Sequence, residues 1–521
     1  MTQLRNVNTT GIGTAIEAGL QTMASVFDAD DNNIPFFQSM VWPDPHLAFS
    51  PVHSEAHVPG RHLNALLTAE SLGFPIDETA VENHMRAVFF SYSGPLPLPL
   101  NRAQPNGPLL NFRPHNVREG FHALYALARF RDSAQAHAVA EASIAAILQL
   151  WDPDDGWNAQ QIEGVHGLVL TRETTLIRGL ARSIGPLVKY HRATGHGPAL
   201  ELAVALKDKV VSDFFLPDGS YDADRFGPHT HSTTCVMSSL AQLADLLGDA
   251  PLMERVRAFY ARGLWDIRDQ LGWVIENDSP NAAPDQGEAN NTGDILETTL
   301  ILGRWGFPEA YDDAERILRG HLLPSQLRDV SWIDDSPNPS GADGRRNVAQ
   351  RHFGAFGFPA PYGHRHIDAE RISFNMDVVG GAVASLCAAY HDVTRHDTAG
   401  HWVNLLFDHE TNAIKVRSPY TSHGLSITLK EPGPVWVRIP SWADPACVDV
   451  KQPLRPPMRS GRYLFFADLP VGQCVTFALD PPAREIILRH RTHDIRTRLR
   501  GDEVIAMDNF GQDLTFFVSL A

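Results

Sequence analysis

The chain has 521 residues, with 44 Lys and Arg against 61 Asp and Glu for a net charge of −17. That balance excludes nucleic acid, an anionic membrane surface or a polyanionic substrate as the main partner, although a local basic pocket can persist inside an acidic shell. With 43% hydrophobic and 20% charged residues the composition is that of a soluble globular protein, and the length exceeds one ordinary core, so a large domain with at least one companion is expected.

Helical periodicity dominates to about residue 395 and predicts helices over 11–26, 61–72, 78–91, 117–131, 133–150, 173–195, 197–213, 232–247, 250–263, 291–304, 308–320 and 376–392. The 232–247 segment is representative. Ser232 can cap its start, Val236, Leu240, Leu243 and Leu247 recur at three- and four-residue spacing, and Gly248 stands where a C-terminal cap belongs. About every second helix is preceded by a polar lead-in rich in His and carboxylates. These lead-ins are His53-Ser54-Glu55-Ala56-His57, Arg113-Pro114-His115-Asn116-Val117-Arg118-Glu119, Arg172-Glu173-Thr174-Thr175, His229-Thr230-His231-Ser232, the run from Glu288 to Asp294, and Asn375-Met376-Asp377. Alternate helices of a toroid run the same way, so the six lead-ins are expected to meet at one rim, with the plainer helices outside.

Two long loops, 266–290 and 324–374, hold Trp273, Trp332, Phe353, Phe356, Phe358 and Tyr362. Loops of this length in a compact domain are functional or disordered, and their aromatics are expected as walls over a pocket. After residue 400 the period becomes two, and 402–407, 414–417, 425–429, 435–440, 462–466 and 475–479 predict short antiparallel strands. The expected organisation is mainly α with an all-β module: a helical toroid over 1–395, a β-sandwich over 396–482 and a mixed C-terminal segment over 483–521. No apolar run reaches membrane-spanning length and Met1 to Asn6 lacks the features of a secretory signal, so a cytoplasmic location is expected. Cys235, Cys387, Cys447 and Cys474 are far apart and are expected as buried free thiols.

Hydrolysing a glycoside needs a proton donor for the leaving oxygen and an anion that assists the anomeric centre or activates water. Glu288, Asp377 and Asp294 are the catalytic candidates, with Glu276 and Glu297 beside them. Asp377 precedes the apolar run Val378 to Ala382, and an unpaired carboxylate at such a buried helix mouth has a raised pKa, which suits a general acid. Asp294 could equally serve the helix dipole in a first turn, and Glu297 could be a surface charge. His229 and His231 project to one side of an extended lead-in and can grip sugar hydroxyls or move protons; with no third ligand at a diagnostic spacing, no metal or other cofactor is expected. His115, Asn116, Arg118 and Glu119 form a denser binding cluster, in which Glu119 could instead pair with His122. Trp273, Glu276 and Tyr362 are further candidates for sugar contact. A GxSxG elbow and a phosphate-cradling glycine loop are both missing from the sequence.

The segments Gly287-Glu288-Ala289-Asn290, Leu296-Glu297-Thr298-Thr299-Leu300, Asp312-Asp313-Ala314-Glu315-Arg316, Asp377-Val378-Val379-Gly380-Gly381-Ala382 and Val437-Arg438-Ile439-Pro440-Ser441-Trp442 resemble glycoside hydrolase family 127, the β-L-arabinofuranosidase-like proteins. The resemblance covers most of the chain and implies an (α/α)6 barrel with β-sandwich modules that cleaves terminal sugars from glycans. Members of that family hold a cysteine nucleophile on zinc with a Glu and three Cys, the first two as Glu-x-Cys. Here Glu288-Ala289-Asn290 and Asp377-Val378 stand at those positions, and Glu288 alone matches. What is implied is an exo-acting glycoside hydrolase on short oligosaccharides whose acid and base are carboxylates, Glu288 and Asp377 first. Its partner is the oligosaccharide or glycoside, with homo-oligomerisation left open. Three other classes stand beside it: a uronate lyase using Asn116, Arg118, His231 and Tyr362, a sugar epimerase or isomerase with paired histidines, and a non-catalytic carbohydrate-binding protein.

Overall fold

The structure, a computed structural model, describes residues 2–451 and 455–520. The described residues hold twelve helices of nine residues or more: α1 (Ile12–Ala24), α2 (Val58–Ser71), α3 (Glu78–Ser91), α4 (Val117–Arg131), α5 (Ala134–Leu150), α6 (Ile184–Thr194), α7 (Gly197–Asp213), α8 (Thr230–Leu247), α9 (Ala250–Ala261), α10 (Ala289–Arg304), α11 (Glu309–Ile317) and α12 (Val378–Val393). Even-numbered helices pack each on the next, and α12 closes on α2. The others stand outside, α3 on α2, α5 on α4, α7 on α6, α9 on α8, α11 on α10, and α1 on α12. This is an (α/α)6 barrel in which the first helix is the outer partner of the last inner one.

Burial follows position. Outer α5 buries one stripe, Ala136, Ala140, Ile144 and Ile147, whereas inner α10 is buried at nearly every residue, as a helix enclosed by neighbours must be. Side chains such as Phe121, Leu124 and Leu240 are fully buried, each stabilising the fold by about 1.5–3 kcal/mol. Near the site the inner helices touch backbone to backbone: a Cβ on Gly60 of α2 would lie 1.8 Å from the Glu119 carbonyl oxygen of α4.

Three departures from the sequence reading have physical causes. The predicted 173–195 helix starts only at Ile184, after a 3-10 turn at Leu180–Ser183, because Glu173 is engaged by Arg113 at 2.8 Å and Arg178 at 3.3 Å in the loop before it. Strands Gln38–Trp42 and His46–Ala48, too short for a clear alternation, pair between α1 and α2, and Ile372–Ser373 of the second long loop joins them as a third strand. Cys447 and Cys474 are exposed, while Cys235 and Cys387 are buried.

The chain enters β structure directly after α12. Two five-stranded sheets, from Thr394–Asp397 to Cys474–Phe477, enclose one apolar cluster that includes Val403, Leu425, Val437 and Phe477. Ala483–Arg489, Asp494–Arg500 and Glu503–Met507 then form a three-stranded antiparallel sheet. Its Leu488, Ile495 and Leu499 share a core with Leu327, Ala355 and Tyr362 of the second long loop. Buried Arg438 of the sandwich bonds Asp312 and Glu315 of α11, so two of the segments that carry the family resemblance meet each other at this junction, away from the barrel mouth. No helix among the described residues is long and apolar enough to cross a membrane.

Candidate active site

The residues at the N-cap positions of the inner helices are His57, Asn116, Ser183, His229, Glu288 and Asp377, and none of their side chains makes a capping hydrogen bond. Ser183 donates back to the Leu180 carbonyl at 2.7 Å, and the other five turn to the rim. A file of rings runs around it: Phe37 stacks on His53 at 4.1 Å, His57 on His115 at 5.5 Å, and His115 meets His229 edge-on at 5.5 Å. His115 Nδ1 bonds the Arg178 carbonyl at 2.9 Å, which fixes its plane.

One side of the mouth is rich in arginine. Asp377 Oδ2 lies 3.2 Å from His57 Nε2 and 3.4 Å from Arg61 Nη1. His57 Nδ1 donates to Asn116 Oδ1 at 3.0 Å, while Asn116 Nδ2 donates to the Val52 carbonyl at 2.7 Å, so the imidazole is aimed from behind. Glu119, fully buried, accepts from Arg118 at 3.0 Å and Arg182 at 3.2 Å, with Arg61 at 3.4 Å. Burial alone would raise both carboxyls. For Glu119 the charges of Arg182, His57, Arg118 and Arg61 overturn it, and for Asp377 those of Arg61 and His57, so both lie below the ordinary carboxylate range. The expectation of Asp377 as an unpaired acid is thereby corrected: it has two partners and stays an anion.

On the other side Arg118 reaches Asp294, but among the described residues no cation pairs with Glu288. Glu288 Oε1 accepts from Asn290 Nδ2 at 2.8 Å and lies 3.6 Å from His231 Nδ1, and no Lys or Arg among the described residues forms an ion pair with it. Burial pushes Glu288 up to about 8; Arg61 opposes from a distance, and the charges of Asp377 and Glu276 add to the rise. Asp294 accepts from Thr234 Oγ1 at 3.1 Å, with His231 Nε2 at 3.3 Å and Arg118 at 3.6 Å, and burial pushes it up to about 7. It sits in the second turn of α10 rather than the first, which leaves little for a dipole role. Glu276, half-buried in the preceding loop, is likewise raised by burial. Glu297 is no surface charge but faces the barrel interior, accepting from Ser238 at 3.0 Å and Ser385 at 3.2 Å.

The structure thus brings together Glu288, Asp377, Asp294, Glu276, His115, Asn116, Arg118, Glu119, His229 and His231. Trp273 and Tyr362 lie outside the group. Both are buried, Trp273 Nε1 donating to the Pro359 carbonyl at 2.9 Å and the Tyr362 hydroxyl to Asp285. Phe356, expected in a sugar wall, is buried in the core. What this loop supplies is a brace: Gly287 and Ala289 donate their N–H groups to the carbonyls of Pro359 at 2.9 Å and Gly357 at 3.1 Å, clamping Glu288 between them. His57, Arg61 and Arg182 complete the site without having been singled out. His57 and Arg61 stand four apart at the start of an inner helix, a readable signal, while Arg182 in an irregular loop gave none.

Ligand atoms of His229, His231 and Glu288 lie within 4.8 Å of one another, a set that could hold a metal ion. The zinc–thiolate centre that the family resemblance implies does not fit, because Asn290 and Asp377 replace the thiols and the Arg61 guanidinium lies against Asp377. Cys387 is in the apolar core and Cys235 lies deeper in the barrel, 4.0 Å from the Arg182 carbonyl.

No protein-family model matches the chain, and no curated protein matches it in sequence. Among solved structures the fold is similar to that of a protein described as a glycoside hydrolase, at 13% identity over 92% of this chain and 84% of that one, with a TM-score of 0.57. It is also similar to a family 127 β-L-arabinofuranosidase from Geobacillus stearothermophilus T6, at 13% identity, 94% and 80% coverage and a TM-score of 0.52. A sugar epimerase from a ruminal bacterium matches at 12% identity over 73% of this chain and 98% of that one, with a TM-score of 0.50. At such identities the likeness establishes the fold, and one fold hosts several chemistries.

Proposed function

We propose that the protein is a glycoside hydrolase that removes the terminal sugar from short oligosaccharides. The observation that carries this reading is the opposite surroundings of two buried carboxyls at one rim, Asp377 between Arg61 and His57 and Glu288 with no cation beside it. Paired carboxyls pushed apart in this way supply one anion and one acid at neutral pH. Glu288 protonates the leaving oxygen, and Asp377 assists the anomeric carbon or activates water. The histidine file and Asn116 offer hydrogen bonds to hydroxyls. Exo action is the mode we favour, supported by the burial of His57, His115, His231, Glu288, Asp294 and Asp377 at one rim. A terminal pentofuranose is the first substrate to try, given the arabinofuranosidase among the similar structures. The free thiols suit a reducing compartment such as the cytoplasm, where the substrate would be an imported oligosaccharide.

The test is a screen against aryl pentofuranosides, hexopyranosides and glucuronides with wild type, Glu288→Gln and Asp377→Asn. Aryl release that either substitution abolishes supports the proposal; the same release from all three proteins contradicts it. The histidine file also favours a second reading, proton transfer on a free sugar by an epimerase, which an NMR spectrum showing a new epimer without bond cleavage would select.

A further inference from the structure

We infer that His229, His231 and Glu288 form a site for a zinc-class divalent cation. The ligand set contains no cysteine and shares only Glu288 with the centre that the family resemblance implies.

Three observations support the site. The ligand atoms already converge: they lie within 4.8 Å of one another, and His231 Nδ1 is 3.6 Å from Glu288 Oε1. Ligands about 2.0–2.1 Å from a tetrahedral zinc stand roughly 3.3 Å apart, so small side-chain rotations complete the geometry. Two of the ligands are held by hydrogen bonds from neighbouring side chains, as metal-binding side chains are. His229 Nδ1 bonds Ser232 Oγ at 2.8 Å, leaving Nε2 uncommitted, and Asn290 Nδ2 donates to Glu288 at 2.8 Å. His231 Nε2, buried and without a hydrogen-bond partner, lies 3.3 Å from Asp294 Oδ2, within reach of a carboxylate–histidine contact when Nδ1 binds a metal. Two imidazoles and a carboxylate leave a fourth position for water or a sugar hydroxyl.

The experiment uses the full chain dialysed against EDTA, with zinc chloride titrated calorimetrically and metal content measured in parallel. Wild type is expected to bind a single zinc, lost in His229→Gln and Glu288→Gln, and weakened about 10- to 100-fold in Ser232→Ala, which keeps all three ligands. Circular dichroism and thermal unfolding confirm that each variant folds. Absence of saturable binding, or equal binding by wild type and all variants, overturns the site. Zinc binding intact in a protein inert toward every glycoside supports the site and removes the hydrolase reading alone.

Discussion

The inner and outer helices of the barrel begin in different ways. Three of the six outer helices use their first residue for stability: Asp77 accepts from the Thr79 N–H at 2.9 Å, and Ser133 and Asp249 cap α5 and α9 in the same manner, while α1, α7 and α11 start without a side-chain cap. Inner helices begin with His57, Asn116, Ser183, His229, Glu288 and Asp377, and none caps its own helix. The inner ring forgoes roughly 1 kcal/mol per helix that a cap would contribute, and five of its six first residues, all but Ser183, turn polar groups into one rim. Closure of the ring holds these helices regardless, so their first residues are free for chemistry.

The largest expected break in this comparison comes from the inner carboxyls. Glu288→Gln and Asp377→Asn should each lower kcat by about 10²- to 10⁴-fold on a natural glycoside while the protein stays folded, measured by steady-state kinetics beside circular dichroism. Arg61→Met should destabilise the fold by roughly 3–5 kcal/mol, because it strips a cation from buried Asp377 and Glu119 together; urea unfolding reads this directly. The pH profile sharpens the contrast. Activity should fall as pH rises through about 8, where Glu288 loses its proton, and should persist on the acid side to below the ordinary carboxylate range because Asp377 is lowered. Stability carries the matching sign. A raised carboxyl stabilises fully below its unfolded value near 4.5 and loses that contribution as pH climbs to about 8, so the thermal midpoint of wild type should drop over this window more than that of Glu288→Gln. The smallest effect belongs to the outer ring: Asp77→Ala should cost about 1 kcal/mol and leave kcat/KM unchanged.

Much of this was legible in the sequence because periodicity and lead-in composition report the same physics. The lead-ins of α2, α4, α8, α10 and α12 run straight into inner helices, and Glu288, Asp377, His115 and His231 converge as their positions suggested. The pairing of α1 with α12 was not legible, since nothing local records that the chain's ends must close the ring. Nor was the direction of the Asp377 pKa, which is set by Arg61 more than 300 residues earlier in the chain. Trp273 and Tyr362 misled because an aromatic in a polar loop reads alike whether it faces a sugar or, like these, braces the loop beneath the site.

The division of labour between Glu288 and Asp377 is tested most directly by varying the leaving group. A substrate with a strongly acidic phenol needs no proton donor, whereas every substrate needs the anion. On such an aryl glycoside Glu288→Gln should recover most of its lost kcat/KM and Asp377→Asn should stay inactive. Recovery by Asp377→Asn with Glu288→Gln still inactive would reverse the two roles and contradict the account.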